Sequence, residues 1–289
     1  MKKVVASLAV LPLIMGLAAC GSSADSAADK TTVTIGVVGS DPVMQTLKDQ
    51  AAQEGITIEY REFTDYNQPN PALKDGEIDL NWFQHIAFLA NYNVETQSDL
   101  AIVGPTVIYP MALFSTKHDS LDSLSDGAEI AIPNDPVNEA RALLLLKENN
   151  LVSFKDSQVS EPTVDDVDSQ KSKVKVTPVD AAQTVISMES VDGSVINNDY
   201  IKDAGLSPKD ALAQDDPANE SAQKYVNLFV SSAEQADNET YQKIVELFHT
   251  PEVQASVEED TEGTAIEVKT PADQLRETLR SLEEELKQK

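Results

Sequence analysis

The sequence predicts an α/β protein of two lobes with a cleft between them. Short β-branched runs alternate with helix-like segments, this alternation occurs twice along the chain, and 289 residues are enough for two compact units. In open α/β sheets, ligands bind beyond the carboxyl ends of the strands. The two units are therefore expected to bind a ligand between them.

The first half begins the strand–helix alternation. Its predicted elements are a strand at 32–38, a helix from 42 to about 52, a strand at 56–63, a helix near 70–74 and a strand at 77–83. Ser40 or Asp41 can cap the first helix, and Pro42 suits its first position. This order of elements favours a parallel sheet.

The second half repeats the pattern. Its predicted elements are strands at 128–133, 174–179, 193–201 and 225–231, with helices at 135–150 and 239–249. The glycines after the first strand of the chain do not form GxGxxG, so a dinucleotide site has little support.

The N-terminus is typical of an exported lipoprotein. Residues 1–19 read as a signal peptide, because Lys2 and Lys3 precede an apolar run from Val4 to Leu17 and small residues follow. The end of this segment, LAAC, resembles the bacterial lipobox, in which the cysteine becomes lipidated. Cys20 is the only cysteine, so lipidation is its most economical role. Residues 20–31 are small and polar, as expected of a flexible tether.

Charge and motifs exclude several classes of function. The formal net charge of −27 repels nucleic acid and anionic membrane surfaces, and it is typical of a solvated acidic surface. His85, His118 and His249 lie far apart, without HExxH or clustered thiols. There is no GxSxG elbow and no P-loop. We therefore expect no enzyme activity, no metal and no cofactor.

One arginine stands in an unusual place. Arg141 is one of only four arginines and lies in the first turn of the helix predicted in IPNDPVNEARALLLLKENN. The helix macrodipole makes positive charge unfavourable there unless an anion accompanies it. That anion can be a ligand carboxylate, or a nearby acid such as Asp135 or Glu139.

Polar and aromatic residues also follow several predicted strands, and together these stretches resemble a known family. The stretches, in chain order, are FTDYNQPN, DLNWFQH, VIYPMAL, IPNDPVNEARALLLL, VINNDY and YVNLFV. They are similar to successive signatures of the methionine-binding lipoproteins, the substrate-binding components of ABC-type methionine importers. The resemblance runs from about Val33 to Phe248.

This resemblance implies a type II periplasmic-binding-protein fold with the ligand in the interlobe cleft. Lobe 1 is then expected to comprise residues 32–115 and 226–269, and lobe 2 residues 116–225. The family's pocket positions fall on Tyr66, Phe83, His85, Tyr109, Asn138, Arg141, Asn197 and Asn227.

The chemistry of these side chains suits a zwitterionic ligand with a thioether. Arg141 offers a two-pronged partner for a carboxylate, and asparagine amide oxygens can accept from an ammonium. Phe83, Tyr66, Tyr109 and the His85 ring would supply an apolar, polarizable wall for sulfur. Structural alternatives remain open: Phe83 and His85 can belong to the core, and the asparagines Asn197 and Asn227 can cap turns. Trp82 is expected to pack away from Phe83.

The last twenty residues, 270–289, predict an additional amphipathic helix. Thr270 can cap it and Pro271 fits its first position. A leucine stripe recurs at helical spacing on Leu275, Leu279, Leu282 and Leu286. This stripe can dock on its own chain or pair with another copy, and the chain is expected to be a monomer.

We expect a lipid-anchored receptor on the extracytoplasmic face of the cell membrane that delivers L-methionine to an ABC permease. Alternative ligands are D-methionine, a methionine-containing dipeptide or another apolar amino acid. A hypothesis of another class is a surface lipoprotein that acts as an adhesin and binds no small molecule.

Overall fold

The computed structural model describes residues 31–202 and 204–288. The predicted signal peptide, Cys20 and the tether up to residue 30 lie outside the described residues. Within the described ranges, no helix combines the length and apolar character that a bilayer span requires.

The first lobe is built on a five-stranded sheet. Its strands, in spatial order, are β2 (Ile56–Phe63), β1 (Thr31–Val38), β3 (Leu80–Asn81), β11 (Leu228–Ser231) and β4 (Ala101–Pro105). β1 runs parallel to β2 and β3, whereas β11 is antiparallel to both of its neighbours. A small third sheet pairs β5 (Val107–Ile108) with β12 (Ile266–Glu267).

The second lobe is built on another five-stranded sheet. In spatial order its strands are β10 (Ala213–Gln214), β6 (Ala112–Phe114), β9 (Gly193–Ile196), β7 (Glu129–Pro133) and β8 (Lys175–Val179). β7 runs parallel to β8 and β9, and β6 is antiparallel to β9 and β10.

The three strands predicted from the first half, β1, β2 and β3, run parallel as expected, but each large sheet also contains an antiparallel strand and is therefore mixed. In each lobe, the antiparallel strand follows a crossing of the chain from the other lobe. β6 comes after the crossing from lobe 1 to lobe 2, and β11 comes after the return to lobe 1. Because such a strand enters its sheet from the cleft side, it runs opposite to the strands that alternate with helices.

Helices cover both faces of the first sheet. One face packs against α1 (Pro42–Gln53), α7 (Glu239–Phe248) and α8 (Pro251–Asp260), and the other against α2 (Pro69–Lys74), α3 (Ile86–Thr96) and α9 (Ala272–Lys287). Asp41 caps α1 by accepting from the Met44 amide at 2.9 Å, one of the two caps predicted. Trp82 packs against Phe229 and Phe248, which confirms its predicted structural role.

The second lobe has its own core around α4 (Pro136–Glu148). Leu143, Leu145 and Leu146 of this helix are buried against β7 and β9, as the leucine run predicted. The short helices α5 (Thr184–Ser187) and α6 (Asn198–Ile201) flank β9. A further apolar cluster joins Val38, Tyr66 and Phe83 of lobe 1 to residues of lobe 2 such as Ile196 and Tyr200, so the lobes are closed on each other.

Some predicted boundaries are wrong. The strand predicted at 193–201 ends at Ile196, and α6 begins at Asn198, because the polar run Asn197, Asn198 and Asp199 is unfavourable in a strand and turns into the cleft. The strand predicted at 77–83 is ladder-paired only at Leu80–Asn81. The strand predicted at 225–231 begins only at Leu228, because the chain up to Tyr225 forms a 3-10 helix.

The C-terminal helix α9 docks on its own chain. Leu275 and Leu279 are 4% and 6% exposed and join the core formed by α2 and α3, while Leu282 and Leu286 are half-buried. Pro271, not Thr270, occupies the cap position, and no side chain there accepts from the helix. Thr270 was therefore wrongly predicted as the cap. Arg276 ties the helix to lobe 1 by donating from Nε to the Ile102 carbonyl at 2.8 Å.

Strand membership suggests where the chain crosses between lobes. β6 already belongs to the second sheet, and Ala222 and Tyr225 belong to the core of the first. We therefore propose crossings near residues 109–111 and 215–219, a few residues before the expected boundaries.

Candidate ligand site in the interlobe cleft

All eight predicted positions line one cavity between the lobes. The cavity is also lined by residues that were not predicted, namely Gln84, Phe88, Pro110, Met111, Asn198 and Asp199.

Arg141 reaches the cavity from α4. Pro136 begins this helix and Asp135 caps it, accepting from the Asn138 amide at 2.9 Å. Asn138 and Arg141 share the face that lines the cavity, as their spacing predicted. Arg141 is the sixth helical residue, so it lies in the second turn rather than in the predicted first turn.

The guanidinium of Arg141 already has an acidic partner. Its Nε lies 2.6 Å from Oδ2 of Asp215 and its Nη2 lies 3.2 Å from Oδ1, while Nη2 also donates to the Tyr109 carbonyl at 2.9 Å. The Tyr225 ring lies below the guanidinium, 4.1 Å from the ring centroid to Cζ. Within the described residues, Nη1 takes part in none of these hydrogen bonds, so one edge of the fork remains for another acceptor.

The predicted alternative partners of Arg141, Asp135 and Glu139, are wrong. The Asp135 carboxylate accepts from the Asn138 amide side chain at 3.0 and 3.1 Å. Glu139 instead accepts from the Val164 backbone at 2.9 Å. Asp215 is 74 residues away in sequence and follows β10, so helical spacing gave no signal for it.

His85 lies directly before α3 and is held as one neutral tautomer. Its Nδ1 accepts from the Phe88 backbone amide at 3.2 Å, which caps the helix and places the ring proton on Nε2. Nε2 then donates across the cleft to Oδ1 of Asn138 at 3.3 Å. Burial, helped by the charge of Arg141, lowers the pKa of His85 to about 3, so the ring stays uncharged near neutral pH.

Asn227 lines the cavity, and Tyr225 packs behind it against Arg141 and His85. The Asn227 backbone donates to the Val107 carbonyl and accepts from the Thr106 amide, both at 2.8 Å, and forms an isolated antiparallel bridge with His85. The Tyr225 ring also contacts the His85 ring, with centroids 5.1 Å apart. No sequence pattern predicted these ring contacts, although Tyr225 lies two residues before Asn227.

A buried amide network supports the turn that carries Phe83 and His85. Gln84 donates to Oδ1 of Asn70 at 2.6 Å and to Oδ1 of Asn81 at 2.8 Å, and Asn70 donates back to Gln84 at 2.9 Å. Each of these amides is almost fully buried, so their pairing fixes the turn after β3.

Aromatic rings form the opposite wall. Tyr66 lies 5.8 Å from Phe83, 6.0 Å from Phe88 and 5.2 Å from Tyr200, measured between ring centroids. Phe88 was missed because a lone aromatic residue in a predicted helix reads as core. Tyr66, Phe83 and Phe88 form an aromatic, polarizable surface of the cavity, and Tyr200 of lobe 2 packs against Tyr66 without lining the cavity.

Tyr66 also closes the cleft by a hydrogen bond to Asp199. Its hydroxyl donates to Oδ2 of Asp199 at 2.8 Å. Burial, with the nearby charge of Asp41, raises the pKa of Asp199 to about 7. The backbone of Asp199 approaches lobe 1 so closely that a Cβ on Gly39 would lie 2.6 Å from its carbonyl oxygen, and Gly39 has φ of +72°.

Asn197 lines the cavity between β9 and α6. It is only 9% exposed, and its Oδ1 is buried without a hydrogen-bond partner among the described residues. It occupies the cap position of α6 without a side-chain capping bond, so the alternative capping role is wrong. An orphaned acceptor in a polar pocket indicates a place for a donor that the chain does not supply.

Ion pairs along one rim join the lobes outside the cavity. Lys202 pairs with Asp260 at the end of α8, and Glu262 accepts from Lys209 at 3.1 Å and from Ser207 at 2.7 Å. These contacts connect lobe 2 to lobe 1 on the side of Asp199. They are partly exposed, so each stabilises closure only slightly.

Comparison with known proteins gives the family. A family model described as NlpA lipoprotein matches residues 32–269. The D-methionine-binding lipoprotein MetQ of Escherichia coli K12 is 35% identical over 264 residues, covering 89% of this chain and 96% of that protein. The match thus extends over both lobes and the cleft.

Solved structures have the same architecture. The substrate binding protein of a methionine transporter from Streptococcus pneumoniae has a TM-score of 0.75 at 33% identity, covering 82% of this chain and 95% of that one. A nutrient binding protein from Burkholderia cenocepacia bound to methionine also has a TM-score of 0.75 at 33% identity, covering 81% and 99%. These similarities confirm the predicted two-lobed substrate-binding-protein fold, and the family match confirms the resemblance seen in the sequence. The chain belongs to the NlpA lipoprotein family.

Proposed function

We propose that this protein binds free methionine in the interlobe cleft and delivers it to an ABC importer without covalent chemistry. The observation that carries the proposal is the convergence of one guanidinium, the amide oxygen of Asn197 and an aromatic wall on a single cavity. A zwitterion with a thioether side chain requires these three surfaces together.

The carboxylate of the ligand would bind the free edge of Arg141. Asp215 and the Tyr109 carbonyl hold Nε and Nη2, so the side chain is already oriented before the ligand arrives. Orientation in advance reduces the entropy that binding must overcome. The pair with Asp215 also explains how the cation is tolerated in the absence of ligand.

The ammonium would bind amide oxygens at the other end of the polar surface. Oδ1 of Asn197 has no partner in the part of the chain that the structure describes, which makes it the first candidate acceptor. Asn138 has a different role, because its oxygen accepts from His85 and its nitrogen donates to Asp135. Asn138 therefore positions His85 and the first turn of α4 rather than serving as the main acceptor.

The thioether would lie against the aromatic wall. Sulfur makes favourable contacts with aromatic rings, typically about 5 Å away. Tyr66, Phe83 and Phe88 offer such rings, and His85 stays neutral and can therefore border an apolar group.

Lobe closure would couple binding to delivery. The hydrogen bonds from His85 to Asn138 and from Tyr66 to Asp199 cross the cleft, so they form only in the closed state. A ligand that contacts both lobes shifts the equilibrium toward that state. We propose that the permease recognises the closed surface, and that a lipid on Cys20 keeps the protein at the extracytoplasmic face of the membrane.

D-methionine is the second candidate ligand, because curated relatives such as the Escherichia coli protein carry it in their names. The two enantiomers share the carboxylate, the ammonium and the thioether. They differ in which acceptors the ammonium reaches from a carboxylate held by Arg141.

Native mass spectrometry and a thermal-shift series test the proposal. Protein freed of ligand by unfolding and refolding would be mixed with L-methionine, D-methionine, a methionine dipeptide, leucine or norleucine. We expect L-methionine to give a one-to-one complex and a melting temperature that rises with its concentration. A larger rise with D-methionine or the dipeptide would reassign the ligand. No complex with any of these compounds would contradict the proposal and favour the adhesin hypothesis.

A further inference from the structure

Among the described residues that line the cavity, Asp199 is the only acidic one. It lies two residues after Asn197, in the first turn of α6, and the family resemblance assigns it no role. We propose that Asp199 makes the site selective for ligands with a protonated amine, its carboxylate receiving the ammonium beside the amide oxygen of Asn197. The inference rests on the proposed function, because it assumes an amino acid in the cleft.

The hydrogen bonding of Asp199 leaves one oxygen for a ligand. Tyr66 donates to Oδ2 at 2.8 Å, and no hydrogen bond joins Oδ1 to another described residue. Asn197 of the same segment also lines the cavity, and its buried Oδ1 has no hydrogen-bond partner among the described residues. A charged acceptor and a neutral acceptor two residues apart match the several N–H donors of an ammonium group.

The charges around Asp199 do not supply the cation themselves. Lys202, the nearest basic residue along the chain, is paired with Asp260 of α8. Arg141 is paired with Asp215, and His85 is neutral. From lobe 1 the carboxylate faces the Tyr66 hydroxyl and the charge of Asp41, and Tyr200 is its neighbour on α6.

This environment disfavours an ionised carboxylate that lacks a partner. Its pKa is raised to about 7, first by burial and then by the charge of Asp41. An arriving ammonium would remove that penalty, because an opposite charge at short distance favours the ionised form. A ligand without the amine would leave it in place. Asp199 therefore discriminates between the two ligands rather than strengthening all binding alike.

Two ligands and two variants test the inference by calorimetry near pH 7.5. The ligands are L-methionine and 4-(methylthio)butanoate, which has the same carboxylate and thioether but no amine. We expect Asp199→Asn, which preserves the shape of the side chain, to weaken methionine binding by roughly 10- to 100-fold. The affinity for 4-(methylthio)butanoate should stay within about threefold of the wild-type value. The ratio of the two affinities is the decisive quantity, since a purely structural role would lower both.

Tyr66→Phe is the matched control, because it removes the donor to Asp199 but retains the carboxylate. We expect this variant to weaken both ligands by similar factors and so to preserve the ratio. An unchanged ratio in Asp199→Asn would overturn the inference. Failure of the wild-type protein to bind methionine would instead overturn the proposed function, so the two failures are distinguishable. The melting temperature of each variant shows that it is folded.

Discussion

Arg141 and Asp215 form a partly buried two-point ion pair, with Nε 2.6 Å from Oδ2 and Nη2 3.2 Å from Oδ1. The pair orients the guanidinium. It leaves Nη1 as the donor that can bind a ligand. Removal of the arginine would also leave a carboxylate without its cation, so folding and binding must be measured separately.

Arg141→Ala should reduce methionine affinity by about 2 to 4 kcal/mol, roughly 30- to 1,000-fold, because a charge-assisted pair of hydrogen bonds to the ligand is lost. Titration calorimetry measures the affinity, and a melting curve checks the fold. Lys147→Ala is the matched control: it removes a cation from the same helix α4, where the side chain lies near Ser157 and Phe154 outside the cavity. Wild-type affinity in Arg141→Ala would contradict the carboxylate role.

Tyr66→Phe should shift the ligand-free protein toward an open state. The variant loses the hydrogen bond across the cleft to Asp199, a loss of about 1 kcal/mol. Small-angle X-ray scattering should show a larger radius of gyration than in the wild type. Tyr60→Phe is the control, because its hydroxyl donates to the Met44 carbonyl within lobe 1. An equal change in both variants would mean that the effect is not closure.

His85 and Asp199 should have opposite effects on stability as the pH changes. The folded state holds the pKa of His85 at about 3, below its ordinary 6.5. This residue therefore makes the fold less stable as the pH falls from 6.5 to about 3. The folded pKa of Asp199 is about 7, above its ordinary 3.8, so this residue makes the fold less stable as the pH rises from about 4 to 7.

Asp199→Asn removes the effect of Asp199 on the pH dependence of stability and retains that of His85. The unfolding free energy of the ligand-free variant, minus that of the wild type, should therefore grow as the pH rises from about 4 to 7. Urea unfolding at about pH 4.5, 6 and 7.5 measures this difference. A difference independent of pH would show that the carboxylate is ionised normally in the fold.

The leucines of α9 should contribute to stability in order of burial. Leu275→Ala and Leu279→Ala each remove a side chain that is at most 6% exposed and should cost about 2 to 4 kcal/mol. Leu282→Ala and Leu286→Ala, which are half-buried on the same stripe, are the matched controls and should cost less. Denaturant unfolding gives the four values. Equal small effects, or a wild-type dimer in light scattering, would mean that the stripe serves another copy.

Local signals in the sequence were enough for many elements. β2 has the bounds that its β-branched run predicted, and α4 begins at Pro136 because Asp135 caps it. These features depend on neighbouring residues only. The direction of β11 depends instead on the path of the chain, because β11 enters the first sheet after the chain has formed the second lobe.

The site, too, combines features that local sequence predicted with features that only the tertiary structure reveals. The eight predicted positions converge on one cavity, and their roles remain a proposal. The acid that pairs with Arg141 was not predictable, since Asp215 lies in an acidic stretch, QDDP, that reads as a solvated loop. Asp199 was missed for a similar reason: in NNDY it resembles a turn residue, and only the closed cleft buries it beside Tyr66.

The most direct test of the account is to locate methionine in the cleft by NMR. Methionine labelled with carbon-13 at its methyl group would be added to the ligand-free protein, and nuclear Overhauser contacts from that methyl would be assigned. We predict contacts to ring protons of Tyr66, Phe83 or Phe88, which disappear when unlabelled methionine is added in excess. A bound methyl that contacts none of these rings, or no saturable binding, would contradict the central claim.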